Sequence, residues 1–131
     1  MITDFTADVL IGNILVNGGA TWAPGKAAPT AGYAVSLPGH EVRIPVNDPE
    51  RAGRLAWYVA STLRLVLERT DRERYFGAWV DSGDICLDVS EVIENFEDAI
   101  YAGVAADQDA IFGIREGDVY DLRTGRWGSV S

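Results

Sequence analysis

The 131-residue sequence holds one cysteine, one histidine, one lysine and one methionine. A lone cysteine, Cys86, excludes an intrachain disulfide, and with His40 as the single histidine no zinc pattern can be assembled. Long apolar runs are also missing. The longest is Leu55 to Ala60, six residues, against the about 20 that a membrane span needs. The first residues, MITDFTADVLIGN, carry Asp4 and Asp8 where a secretory signal would carry Lys or Arg. These absences lead to the expectation of a soluble, cytoplasmic protein. Basic residues are absent from one whole stretch: between Ala78 and Ile114 stand nine carboxylates and no Lys or Arg. Through Phe76 the chain has eight acidic and eight basic residues; from Gly77 onward it has twelve and three, which accounts for the entire formal charge of −9. Such a distribution argues against binding DNA, RNA or an anionic membrane through that half.

What is present is the material of one globular domain, residues 1–131: 47% hydrophobic and 24% charged, with no repeat, low-complexity tract or dividing linker. A helix is expected over 4–17, with Thr3 or Asp4 as its cap and Asn17-Gly18 as its stop. Strands are expected at 20–23 and 31–37, joined by the Gly- and Pro-bearing loop 24–30, and a short edge strand at 41–46, limited by Pro45. A long helix from about 49 to 68 is announced by Asp48-Pro49-Glu50 and by apolar residues at spacings of three and four, from Ala52 to Leu67. Trp57 and Leu65 widen its apolar face, which suggests cover on more than one side. A hairpin follows around Asp81-Ser82-Gly83-Asp84. A second helix of about 96–106 is capped by Asn95, with Asp98 in the capping-box position and Phe96, Ile100, Gly103 and Val104 on its inner face. Strands at 108–114 and 119–122 turn at Glu116-Gly117-Asp118, and the tail around Trp127 either docks or frays. Tightly joined strand pairs alternating with helices predict an α+β fold with a largely antiparallel sheet on the long central helix.

Few residues announce chemistry. His40 lies between Gly39 and Glu41 in a turn, without a nucleophile motif, and Cys86 sits mid-strand. Asp81, Asp84, Asp88 and Glu91 invite a divalent cation, yet their spacing fails the EF-hand pattern. The Gly18-Gly19 and Pro24-Gly25-Lys26 turns match no phosphate-binding loop. Trp22, Tyr33, Trp57, Tyr58, Tyr75, Phe76 and Trp79 are more simply core residues than a stacking platform. No catalytic residue, cofactor or metal is assigned on these grounds.

The segments Gly18-Gly19-Ala20-Thr21-Trp22 and Gly32-Tyr33-Ala34-Val35-Ser36-Leu37-Pro38-Gly39-His40-Glu41 resemble the N-terminal signature of small proteins encoded by actinobacterial phages and related mobile elements. Gly77-Ala78-Trp79-Val80-Asp81, Leu87-Asp88-Val89-Ser90 and Gln108-Asp109-Ala110-Ile111 are similar to the second half of the same group. The resemblance covers about residues 18 to 114. It implies a phage or plasmid accessory protein in a bacterial cytoplasm and brings no assigned activity with it.

Two readings follow. In the first, the acidic half binds a basic host or phage protein without catalysis, inhibiting it or mimicking nucleic acid towards it, through Asp81, Asp84, Asp88, Glu91, Glu94, Glu97 and Asp98. In the second, Thr21, Trp22, Tyr33, Ser36, His40 and Arg43 form a site that binds or modifies a small ligand, a nucleotide or sugar. The plain account of the carboxylates is solubility. What separates these is whether the carboxylates share one face.

Overall fold

A computed structural model describes residues 4–129. The chain order is α1 (Asp4–Asn17), β1 (Gly19–Trp22), β2 (Tyr33–Ser36), β3 (Val42–Pro45), α2 (Arg51–Leu67), β4 (Glu73–Asp81), β5 (Asp84–Ile93), α3 (Phe96–Ala105), β6 (Ala110–Gly113), β7 (Asp118–Asp121) and β8 (Arg126–Ser129). The fold is α+β, and every strand pairing is antiparallel. The elements follow the expected order closely. Thr3, offered as a cap for α1, lies outside the described residues. The tail becomes a further strand, β8, paired with β7.

The β4–β5 hairpin organises the sheet, whose order is β1-β4-β5-β2-β6-β7-β8 with β3 also on β5. Its turn residues Ser82 and Gly83 both take positive φ, 52° and 82°, the conformation that matches the twist of a two-residue hairpin. One edge of β5 lies along β4. The other is shared: β3 pairs with Asp84–Leu87 and β2 with Ser90–Ile93. Through β2 the sheet continues to the C-terminal meander, so β5 joins both parts of the molecule.

One sheet face carries Phe76, Ala78, Ile85, Leu87 and Val89, all buried against Ile11 and Ile14 of α1 and Leu55, Val59 and Val66 of α2. The i, i+4 and i+11 spacing of those α2 residues is what a helix needs to lay one stripe on a sheet. Two expectations for α2 do not hold. Trp57 is 73% exposed and Leu67 50% exposed, because both fall off the stripe and no second layer covers them.

The opposite face of the hairpin is also closed. Cys86, Asp88 and Ser90, which alternate with the helix-facing residues, are all buried. Segment 23–32 is tied to β4. The Lys26 ammonium lies 5.1 Å from the centre of the Tyr75 ring, donates to the Arg74 carbonyl and meets Glu73 at 2.7 Å. The single lysine thus fastens the connection between β1 and β2 to β4.

A smaller cluster holds α3 on β2 and β6. Val35, Ile93, Ala99 and Ile111 form its buried centre. Phe96 meets Tyr33, Tyr120 and Trp127 at ring separations of 5.1, 4.9 and 5.8 Å. A Cβ on Gly103 would stand 2.7 Å from a Leu122 methyl and 3.0 Å from one of Ile111, so glycine lets α3 settle this close to the sheet. Val104, expected inside, is 61% exposed. Ala99 and Gly103 take the inner positions.

Candidate interaction surface

The seven carboxylates nominated from the sequence separate into three environments. At the hairpin tip, Arg43 of β3 reaches Asp81 at 2.8 Å and Asp84 at 3.2 Å, with Glu41 at 3.8 Å from its Nε. The Arg43 guanidinium lowers the pKa of the Asp81 carboxyl by hydrogen bonding to its charged form, and the carboxylates in turn raise that of Arg43. Glu91 is likewise paired, with Arg74 at 3.4 Å and Arg72 at 3.9 Å. These three acids are answered within the fold.

Asp88 is the correction. It is 3% exposed and cannot form part of a contact surface, because its side chain points to the closed face of the hairpin. The Ser36 and Ser90 hydroxyls donate to its two carboxyl oxygens, and no cation pairs with it among the described residues. Burial pushes its pKa up, against the opposing effect of the two hydroxyls.

Glu94, Glu97 and Asp98 form the third group. All are exposed, and none has an ion pair among the described residues. They stand before and within the first turn of α3, where negative charge is favourable at the positive end of the helix dipole. The Asn95 side chain accepts from the Asp98 backbone N–H at 3.0 Å, as the capping pattern requires. On the same outward side of α3, Tyr101 is 76% exposed and Val104 61%. Glu97, Tyr101 and Val104 follow at i, i+4 and i+7, one stripe down the helix, with Asp98 beside it. This surface combines free carboxylates with a bare aromatic ring and a bare aliphatic side chain.

The six residues of the second reading do not converge. Strand alternation sends Thr21 and Trp22 of β1 to opposite faces, and Trp22 packs on Phe76 at 5.4 Å among the helices. Ser36 is engaged with Asp88. Tyr33 belongs to the aromatic cluster under α3. Only His40 and Arg43 line a common depression, beside α2. Among the described residues, no three His, Cys, Asp or Glu side chains are grouped to hold a metal ion, and no helix is long and apolar enough to cross a membrane.

Sequence reasoning missed Tyr101 and Val104 as surface features and the Ser36–Asp88–Ser90 link. The first were detectable: at 100° per residue they fall with Glu97, away from Ala99 and Gly103. The link was not, since it depends on which strand lies beside β5. Comparison of the chain with protein-family models, curated proteins and solved structures finds no match.

Proposed function

We propose that this is a non-enzymatic accessory protein that binds a basic protein through the outer face of α3. The observation that carries the reading is the pairing of free charge with bare apolar surface. Glu94, Glu97 and Asp98 are the nominated acids left without internal cations or burial, and they adjoin exposed Tyr101 and Val104. An exposed tyrosine ring offers a large, nearly rigid contact area, and tyrosine is enriched among the residues that dominate binding energy. Uncompensated carboxylates around it attract Lys- and Arg-rich surfaces and speed their encounter. A bare acidic row would serve charge attraction alone; the apolar residues within this one favour docking onto a protein with a basic rim around an apolar pocket. The resemblance to phage and mobile-element proteins supports a host or phage protein as the partner, in a bacterial cytoplasm. Inhibition follows where the surface so covered is one that otherwise holds nucleic acid.

The test is recovery from an actinobacterial lysate on the immobilised full chain. Glu97→Lys with Asp98→Lys, and separately Tyr101→Ala with Val104→Ser, are compared with Asp8→Lys with Asp71→Lys, which makes the same charge change elsewhere. The reading expects a protein retained by the parent and the control, lost by both α3 variants and released by salt. Equal recovery by all four chains, or no retained protein, contradicts it.

A further inference from the structure

Between β3 and α2 the surface is cut by a groove of about 400 Å³, a size within the usual span of small-ligand sites, about 300–1,000 Å³. Its helical wall is Arg54, Trp57, Tyr58 and Ser61, the i, i+3, i+4 and i+7 positions of one face of α2. The facing wall is the turn at His40 and Glu41 with the start of β3. The Tyr58 hydroxyl donates to the His40 carbonyl at 2.6 Å and ties the two walls together.

Three features of this groove point to the class of its ligand. The Trp57 indole stands at its wall 73% exposed, an apolar plate largely open to solvent. The Trp57 Nε1, the His40 ring and the Ser61 hydroxyl make no hydrogen bond among the described residues, so uncommitted polar groups share the groove with the ring. The charges nearby are already spent: Arg43 is held by Glu41, Asp81 and Asp84, and Arg54 by Asp48 and Glu50. Two guanidiniums among five carboxylates leave an excess of negative charge, which repels a phosphate or carboxylate ligand and leaves an uncharged one unaffected.

We propose that this groove binds an uncharged sugar ring. The C–H face of a pyranose packs on the Trp57 indole, and its hydroxyls exchange hydrogen bonds with Ser61 and His40. The apolar plate supplies burial, and the polar groups on both walls fix orientation. This site is separate from the α3 surface and stands or falls without it.

The test follows the indole N–H resonance of Trp57, assigned with Trp57→Phe, in the ¹⁵N-labelled full chain. D-glucose, D-galactose and N-acetyl-D-glucosamine are titrated, with glucose 6-phosphate and a tetra-arginine peptide as charged arms. At least one uncharged sugar is expected to shift the resonance saturably. Its affinity, followed by calorimetry, should weaken about tenfold or more in Trp57→Ala and in His40→Ala with Ser61→Ala. Trp57 is exposed, so the first variant keeps its fold, which circular dichroism verifies. No shift at concentrations that would fill a millimolar site overturns the proposal. So does a shift caused only by glucose 6-phosphate or the peptide, or binding undiminished in the variants.

Discussion

Gly77 of β4 lies directly opposite Asp88 of β5, and a Cβ at Gly77 would collide with the Asp88 carboxyl oxygen. The missing side chain is what makes room for a carboxyl group on the closed face of the hairpin. Gly77→Ala must push Asp88 away from Ser36 and Ser90 or displace β4. A loss of about 1–3 kcal/mol is expected, the usual cost of overpacking a well-filled interior, measured by urea denaturation. A variant as stable as the parent shows that the carboxyl has room to move.

The same carboxyl makes stability depend on pH in a direction opposite to that of a salt-bridged acid. Burial raises its pKa in the folded protein, above the unfolded value of about 3.9. The folded state therefore holds the proton more tightly. Its contribution is fully present below the unfolded pKa and is lost as pH rises through the folded one. Asp88→Asn keeps the shape and removes the ionisation. The stability of Asp88→Asn relative to the parent is expected to grow from about pH 4 upward and then level off. A difference independent of pH shows that Asp88 ionises alike in both states.

Cys86 shares that face, two residues from Asp88, and is fully buried. Burial pushes its thiol up to about 11, so thiolate is scarce at neutral pH and shielded besides. A disulfide reagent is expected to label it only as fast as the protein opens, with labelling accelerating in denaturant in step with unfolding. Rapid labelling of the native protein contradicts the closed face.

Asn95 holds the start of α3 through its bond to the Asp98 N–H. Asn95→Ala is expected to cost about 1 kcal/mol and to raise amide exchange in the first turn of α3. Because that turn carries Glu97 and Asp98, the same substitution should weaken partner binding without changing the surface charge.

Local signals located most of the elements. Pro49 and the spacing from Leu55 to Val66 marked α2, Asn95 marked the start of α3, and Ser82-Gly83 marked the hairpin. The alternation of Leu87, Asp88 and Val89 gives the direction of Asp88 correctly. Its burial goes with the Ser36 hydroxyl of β2, 52 residues away in sequence, and no local pattern reports that. Strand β8, Arg126-Trp127-Gly128-Ser129, lacks a β-branched run and owes its conformation to β7. The acidic half was legible as charge but not as surface, because internal arginines and burial remove four of its seven nominated acids.

The central claim is that the outer face of α3 is where a basic protein docks. Replacing Tyr101 by a photo-crosslinking phenylalanine derivative, with the same replacement at Asp71 as the control, tests it at the contact itself. Irradiation in lysate is expected to yield one discrete adduct from position 101, with a protein rich in Lys and Arg, suppressed by Glu97→Lys with Asp98→Lys and by high salt. No adduct from position 101, or the same adducts from position 71, contradicts the account.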